Sequence, residues 1–147
     1  MALDLSYKGR EIASYTFEVD RSKIRELAAA VGDENPVFRD AGAAQAQGYA
    51  DTPAPLTLAT VMTFGGYPEI WERMTEMGID IKRLLHAKEE YEYFAPIYPG
   101  DRLTGTIVVE SLRGGAMEMA SFKTTYTRGG EKVLAARMTV IVPQAAQ

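Results

Sequence analysis

The sequence predicts an α+β fold in which an antiparallel sheet of about five strands is wrapped around a central helix. Extended runs joined by short glycine-containing connections fill the second half of the chain, which favours antiparallel hairpins. One helical segment in the first half is apolar on nearly all sides, as in a helix enclosed by other elements. The 147 residues fall within the range of one domain, so we expect a single domain over residues 1–147 with an ordered core at about 6–142.

The first elements are a strand and two helices. Residues 12–19 are rich in β-branched and aromatic side chains and predict a short strand. Asp20 is a good N-cap for a helix over residues 21–31, which has apolar residues at helical spacing and ends at Gly32. After a cluster of turn-forming residues, Asp40 predicts the cap of a short alanine-rich helix that runs to about Gln47.

The apolar helix is predicted to begin at Pro55, because a proline is well tolerated where the first helical N–H has no partner. Its apolar residues cover most of its circumference, which predicts a buried central helix; they are Leu56, Leu58, Ala59, Val61, Met62 and Phe64. The sequence Gly65-Gly66-Tyr67-Pro68 should break it. A second helical stripe of Ile70, Trp71, Met74 and Met77 then leads to Gly78.

The remaining residues predict strands at 84–94, 102–112, 117–127 and 132–142. The connections contain Pro96 and Pro99, then Gly114 and Gly115, then Gly129 and Gly130. We therefore predict a meander of four long strands joined to the early strand.

Composition excludes several classes of function. The chain has no cysteine and one histidine, His86, so thiolate chemistry is excluded and a transition-metal site is not expected. Its 16 basic and 20 acidic residues give a net charge of -4, which does not suit a nucleic-acid binder. No apolar run reaches the roughly 18 residues of a spanning helix, and the N-terminus lacks the pattern of a secretory signal, so we expect a cytoplasmic protein.

The densest polar segment is residues 32–40, between two predicted helices. On residue types alone, Asp33 and Asn35 favour an Asx-type turn over a site. The start of the helix near Pro55 offers free N–H groups, as every helix start does. A structural role is also favoured for His86. The same holds for the aromatic residues Tyr91, Tyr93, Phe94 and Tyr98, for which binding of a ligand is the alternative interpretation. We interpret Lys88, Glu89, Glu90 and Glu92 as a solvated strand face.

Several separated motifs occur in order along the chain. The first is the G-D-x-N-P turn that begins at Gly32, with Asp40, Ala43 and Gly48 after it. The next is Ala54-Pro55-Leu56-Thr57 at the start of the apolar helix, and the last are Leu85-His86, Tyr93, Pro96 and Pro99-Gly100-Asp101. Together they resemble MaoC-like hot-dog-fold dehydratases and hydratases, in particular the N-terminal dehydratase branch. The resemblance covers the chain from about Ser6 to Val142.

The resemblance implies a hot-dog fold with a long central helix, dimerisation, and an acyl thioester of coenzyme A or acyl carrier protein bound between two units. It implies reversible loss of water from a (3R)-hydroxyacyl thioester, with no metal and no separate cofactor. Active members use an aspartate and a histidine from G-D-x-N-P-x-H, and backbone N–H groups at the helix start polarise the thioester carbonyl. Carried over, Asp33 matches the aspartate and Asn35 the orienting asparagine. Pro55, Leu56 and Thr57 match the substrate-binding segment, with Leu56 as the backbone donor.

One position departs from the family motif. Phe38 stands where active members have the histidine, and a phenyl ring has no proton to exchange. A positioned general acid or base contributes roughly 10²- to 10⁴-fold to the rate, so the acid/base pair is incomplete. Arg39 cannot replace it, because a guanidinium stays protonated.

Three functions remain open at this stage. The first is a non-catalytic, acyl-thioester-binding subunit of a heterodimeric (3R)-hydroxyacyl thioester dehydratase of fatty-acid metabolism, active only with a catalytic MaoC-like partner. The second is a self-sufficient homodimeric (R)-specific enoyl-CoA hydratase that uses Asp33. The third is a non-enzymatic acyl-thioester binding or scaffold protein. Acyl length, carrier and pathway are not determined by the sequence.

Overall fold

The computed structural model describes residues 2–144. Helices and strands lie close to the predicted positions, and short 3-10 turns occur at Leu5–Tyr7 and Pro36–Phe38. The order of the main elements is β1 (Glu11–Glu18), α1 (Arg21–Ala30), α2 (Ala41–Ala46), α3 (Leu58–Phe64), α4 (Ile70–Glu76), β2 (Leu85–Tyr93), β3 (Arg102–Arg113), β4 (Met117–Arg128) and β5 (Glu131–Pro143). Within residues 2–144, no helix is long and apolar enough to cross a membrane.

The five strands form one antiparallel sheet in the order β1-β3-β4-β5-β2. The predicted meander is right for β3, β4 and β5 and wrong for β2, which pairs with β5 at the far edge of the sheet. The reason is that β1 already occupies the free side of β3, with Thr16 opposite Thr104. The tight β4–β5 hairpin turns at Gly129 and Gly130, whose φ values of 56° and 84° suit a turn that only glycine adopts easily.

The predicted helix caps are confirmed. The Asp20 carboxylate accepts a hydrogen bond from the Ser22 N–H at 2.9 Å at the start of α1. Asp40 accepts from the N–H groups of Gly42 and Ala43 at the start of α2. These short local bonds explain why both helices begin where the sequence indicates.

Helix α3 lies against the inner face of the sheet and is the most buried helix, as predicted. Leu58 and Ala59 are each 1% exposed and Met62 is fully buried. The helix begins at Leu58, within a few residues of the predicted Pro55, because Leu56 and Thr57 form a turn first. Leu56 is 66% exposed and so does not belong to the buried stripe.

The resemblance implied a long central helix, whereas α3 has seven residues. The chain breaks at the predicted glycines. A Cβ atom on Gly66 would lie 2.3 Å from the Met62 carbonyl oxygen and 2.8 Å from the Phe17 ring, so the backbone passes too close for a larger residue. Ile70 and Met74 on helix α4 and Met77 directly after it are buried as predicted. Trp71, which the sequence placed in the same stripe, is 39% exposed, so that part of the prediction is wrong.

Tyrosine hydroxyls from the sheet hold α3 in place. The Tyr15 hydroxyl on β1 donates to the Met62 carbonyl at 3.2 Å and lies 2.6 Å from the Tyr126 hydroxyl on β4. The Tyr126 hydroxyl is 3.0 Å from Thr63 Oγ1. Burial raises the pKa of Tyr15 and of Tyr126, so both hydroxyls keep their protons for these hydrogen bonds.

We predict that Met62→Ala lowers the free energy of unfolding by about 2–5 kcal/mol, because it leaves a cavity beside the sheet. Met117→Ala is the control, since Met117 is 50% exposed, and it should change stability by no more than about 0.5 kcal/mol. Urea unfolding followed by circular dichroism measures both variants. Equal effects of the two substitutions would contradict the placement of α3 in the core.

Candidate functional site

A cavity of about 480 Å³ opens near the start of α3. Its floor consists of buried apolar residues from three loops: Val37, Pro53, Ala54 and Ile97. Phe38 and Tyr93 form walls, and both side chains are half-buried. The volume lies in the range of about 300–1,000 Å³ that is typical of small-molecule sites.

The rim of the cavity is uncharged and combines polar with apolar side chains. It is formed by exposed residues: Asn35, Gln47, Tyr49, Leu56, Phe94 and Pro96. Within residues 2–144, no Asp, Glu, Lys, Arg or His lines the cavity. The site is therefore suited to a ligand whose buried part is neutral and largely apolar.

Asp33 and Asn35 close local turns. Asp33 Oδ1 accepts a hydrogen bond from the Asn35 N–H at 3.0 Å, and Asn35 Oδ1 accepts from the Val37 N–H at 3.2 Å. The Arg39 guanidinium donates to the carbonyls of Asp33 and Asn35 at 2.6 and 3.2 Å. The Asx-type turn that the residue types favoured is present. Asn35 reaches the cavity rim, whereas Asp33 is exposed and lies outside the cavity lining.

Phe38 contacts both the hydrophobic core and the cavity. Its ring packs against the buried cluster that includes Leu58 and Met62, and it forms part of the cavity wall. The position that matches the histidine of the family motif thus supplies apolar surface to the site. Proton transfer at this wall would have to come from another side chain.

The segment Pro55-Leu56-Thr57 forms the edge of the cavity next to α3. Pro55 is buried, and Leu56 and Thr57 are exposed. The Tyr93 hydroxyl donates to the Leu56 carbonyl, and burial raises the pKa of Tyr93, so the donor stays protonated. The N–H groups of Leu56 and Thr57 find no hydrogen-bond acceptor within residues 2–144. They are free to bind a ligand carbonyl oxygen.

An ion pair fixes the loop that carries the cavity floor. The Arg21 guanidinium on α1 donates to both Asp51 carboxylate oxygens, at 2.8 and 2.7 Å, and also contacts Thr52 Oγ1 at 3.2 Å. Asp51 also accepts from the Thr52 N–H at 2.7 Å. The hydrogen bonds from Arg21, followed by that from Thr52, lower the pKa of Asp51 to about 2. Pro53 and Ala54, in the cavity floor, directly follow this anchor.

A chain of polar groups runs along the inner face of β2. The backbone register shifts between His86 and Lys88, and His86 Nε2 lies 2.5 Å from Glu89 Oε2. The other Glu89 oxygen accepts from the Tyr91 hydroxyl at 3.2 Å, and that hydroxyl also hydrogen-bonds with Thr60 on α3. The interpretation of Glu89 as part of a solvated face is therefore wrong, because it lies on the helix side of β2 together with Tyr91.

The aromatic group on and after β2 divides between two roles. Tyr93 and Phe94 line the cavity, and the Tyr98 hydroxyl accepts from the Ala50 N–H at 3.2 Å.

The sequence analysis missed Gln47 and Tyr49 on the rim, which flank Gly48 with a φ of 93°. An aromatic residue in a loop beside a glycine was the sequence feature that could have indicated them.

Residues 2–144 contain no group of three or more His, Cys, Asp or Glu that could hold a metal ion.

Comparison with known proteins identifies the fold and the relatives. The chain matches the family described as FAS1-like, dehydratase domain region, over residues 6–136. A UPF0336 protein of Streptomyces avermitilis is 39% identical over 154 residues, covering 100% of this chain and 99% of that protein. The match to a solved MaoC-like dehydratase has 28% identity and a TM-score of 0.79, and covers 95% of this chain and 42% of the other.

A second solved structure has the same fold. A chain of the C-terminally truncated HadBC (3R-hydroxyacyl-ACP dehydratase) complex from Mycobacterium tuberculosis is 24% identical, with a TM-score of 0.77, covering 96% of this chain and 99% of that one. These similarities show that the five-stranded sheet and its helices form the hot-dog fold of MaoC-like dehydratases.

We predict that the Arg21–Asp51 pair loses its stabilising effect in acid. The folded-state pKa of Asp51, about 2, lies below its ordinary value of 3.8, so the contribution is present above pH 4 and disappears as the pH falls toward 2. Arg21→Gln should therefore lower the thermal unfolding midpoint at neutral pH and less so at about pH 2–3. Arg25→Gln, on the exposed face of the same helix, is the control. A difference between wild type and Arg21→Gln that stays constant with pH would contradict the assignment.

Proposed function

The chain belongs to the FAS1-like dehydratase domain region family, and from this premise we propose that it is the acyl-thioester-binding subunit of a (3R)-hydroxyacyl thioester dehydratase. In this proposal a separate MaoC-like chain supplies the catalytic pair. Coenzyme A or acyl carrier protein enters as part of the substrate, and no further cofactor takes part.

The observation that carries the proposal is the place of Phe38. It occupies the histidine position of the G-D-x-N-P-x-H motif, and its ring forms a wall of the cavity. Loss of one acid/base group costs roughly 10²- to 10⁴-fold in rate. The same position adds apolar contact area for an acyl chain, so this chain favours binding over proton transfer.

The proposed chemistry divides between two chains. Dehydration removes a proton from C2 and the hydroxyl group from C3 of the hydroxyacyl thioester, and these leave together as water. In this step a base on the partner would take the proton from C2, and an acid on the partner would donate a proton to the C3 hydroxyl group, which departs as water as the C2–C3 double bond forms. This chain would hold the acyl part against Phe38, Val37 and Ile97, and would polarise the thioester carbonyl through the Leu56 and Thr57 N–H groups.

Open sheet edges and a solved relative support a partner chain. Strand β1 pairs only with β3 and strand β2 only with β5 in residues 2–144, so both edges retain unpaired backbone groups. The related 3R-hydroxyacyl-ACP dehydratase from M. tuberculosis is described as the complex HadBC. A dimer with a catalytic MaoC-like chain accounts for both observations.

A second candidate is a homodimeric (R)-specific enoyl-CoA hydratase. The observation in its favour is that Asp33 is retained and its carboxylate is exposed, where a second copy could reach it. In that case the proton-transfer partner of Asp33 would come from the other copy. Asp33 is therefore catalytic in the homodimeric hydratase and not catalytic in the subunit proposal.

We predict that the purified chain hydrates a short enoyl thioester at least about 10²-fold more slowly than a complete family member, since one acid/base group is missing. Addition of a MaoC-like partner with an intact G-D-x-N-P-x-H motif should restore turnover. Asp33→Asn should leave the rate of the reconstituted pair nearly unchanged, and Glu34→Gln, at an exposed neighbouring position, is the control. Hydration is followed by the loss of enoyl thioester absorbance.

Rapid turnover by this chain alone, abolished by Asp33→Asn but not by Glu34→Gln, would reject the subunit proposal and support the homodimeric hydratase. Failure of every histidine-containing partner to restore turnover would also reject the subunit proposal. In that case a non-enzymatic binding role would account for the cavity.

We further predict that the chain associates through its open edges. Light scattering of a mixture with the catalytic partner should give the mass of a one-to-one complex, because paired edges satisfy exposed backbone groups. A clean monomer of this chain at micromolar concentration before mixing would favour the subunit role. A tight homodimer that does not exchange with the partner would contradict it.

A further inference from the structure

We propose that Arg128 and Asp101 are positioning residues of the site: they hold residues 96–98, which in turn hold the loop that leads to the Leu56 and Thr57 N–H groups. This role rests on the proposed function, because its effect is measured on the ligand of the same cavity. Arg128 belongs to none of the motifs that carry the family resemblance. Within residues 2–144, neither Arg128 nor Asp101 lines the cavity, so both act through other residues.

The ion pair of Arg128 and Asp101 joins the end of β4 to the turn before β3. Arg128 Nη1 donates to Asp101 Oδ2 at 2.7 Å. The two side chains are 28% and 16% exposed, which makes this the least exposed ion pair in residues 2–144. Asp101 ends the Pro99-Gly100-Asp101 turn, in which Gly100 has a φ of 86°. Because water and salt screen a partly buried pair weakly, this pair can fix the turn relative to β4.

Both members of the ion pair also bind residues 96–98. Arg128 Nη1 donates to the Pro96 carbonyl at 3.1 Å, and Asp101 Oδ2 accepts from the Tyr98 N–H at 2.9 Å. The segment is thus held at its two ends. A planar guanidinium presents its donors in fixed directions, so it sets the orientation of the Pro96 carbonyl as well as its distance.

Residues 96–98 are bonded in turn to the loop before α3. The Ile97 carbonyl accepts from the Ala54 N–H at 2.7 Å, and the Tyr98 hydroxyl accepts from the Ala50 N–H at 3.2 Å. A continuous set of hydrogen bonds therefore connects the end of β4, through residues 96–98, to the loop that ends at α3.

The positions of the free N–H groups of Leu56 and Thr57 depend on this connection. Ala54 lies only two residues before Leu56, so a displaced Ala54 would carry both donors with it. Donors polarise a carbonyl only when they point at its oxygen, and a displacement of about 1 Å can cost about 10²-fold in rate. Pro96 and Ile97 also line the cavity, so the same movement would alter its wall.

The first experiment measures the binding of butyryl-pantetheine to the purified chain by isothermal titration calorimetry. This saturated thioester carries no phosphate, so a lost protein charge cannot weaken its binding by direct attraction. Arg128→Gln should weaken binding by about five- to tenfold, the effect of about one misplaced hydrogen bond, and Asp101→Asn should act in the same direction. Arg128→Lys keeps a cation with several donors and should stay within about threefold of wild type.

Arg102→Gln is the matched control. Arg102 directly follows Asp101 and forms an ion pair with Glu18 at 3.5 Å, but both of these side chains are more than 70% exposed. An exposed pair contributes little, and this one does not contact residues 96–98. The substitution should leave the affinity unchanged.

The second experiment measures the donors at Leu56 and Thr57 directly. A hydrogen bond to a thioester carbonyl lowers its stretching frequency, which infrared spectroscopy of ¹³C-labelled butyryl-pantetheine records at saturating ligand. The band of the bound ligand should move to higher frequency in Arg128→Gln, return in Arg128→Lys and stay unchanged in Arg102→Gln. Loss of stability alone would lower the thermal unfolding midpoint without moving this band.

A second variant covers the case in which Arg128→Gln does not fold. Tyr98→Phe removes the acceptor of the Ala50 N–H without changing any charge. It should weaken binding by about three- to tenfold and move the carbonyl band in the same direction as Arg128→Gln.

The outcomes separate this role from the proposed function. If wild type does not bind the thioester, the proposed function fails and the positioning role fails with it. If wild type binds, but the carbonyl band is the same in every folded variant, or Arg128→Gln and Arg102→Gln have equal affinities, the positioning role alone is overturned. Weaker binding and a shifted band in Arg128→Gln or Tyr98→Phe, with recovery in Arg128→Lys, support it.

Discussion

The structure depends on the attachment of one short helix to the sheet. Helix α3 has seven residues, and an isolated helix of that length is not stable in water. Burial of Leu58 and Met62 supplies much of its stabilisation, and hydroxyl groups from three strands fix its position. Tyr15 binds the Met62 carbonyl, Tyr126 meets Thr63, and Tyr91 meets Thr60. Because these partners are buried or half-buried, removal of a hydroxyl would leave an unsatisfied polar group near the core.

The cavity is a consequence of this attachment. Tyr93 follows Tyr91 on β2 and donates to the Leu56 carbonyl just before α3, while Arg21 holds the same loop at Asp51. The segment between these two anchors contains Pro53 and Ala54 of the floor. Its free N–H groups at Leu56 and Thr57 are thus presented from a backbone that is fixed at both ends. A binding site needs such fixation, since mobile donors lose affinity on ordering.

Local features of the fold were predictable from the sequence, and non-local ones were not. Caps at Asp20 and Asp40 and the break at Gly65 and Gly66 depend on neighbouring residues, so residue types suffice. The pairing of β2 with β5 depends on β1, which is far away in sequence, and hairpin lengths say nothing about it. Glu89 shares the period-two spacing of Tyr91 and Tyr93, which was a usable signal for its inward position. His86 is exposed but lies on the helix side of β2, beside the Phe64 ring. This placement depends on a register shift, which no pattern in the sequence indicates.

The site shows the same division between local and non-local information. The motif residues Asn35 and Leu56 line the cavity. Gln47 and Tyr49, directly after α2, line it too, because the fold brings the end of α2 to the same cavity as the end of β2.

The position of His86 also bears on function. It lies seven residues before Tyr93 on β2, which corresponds to about 20 Å along an extended strand. The histidine of this chain is therefore too far from the cavity wall at Tyr93 to replace the one absent at Phe38. The cavity lining within residues 2–144 thus supplies no imidazole for proton transfer, and the proposal of a separate catalytic chain rests on this argument.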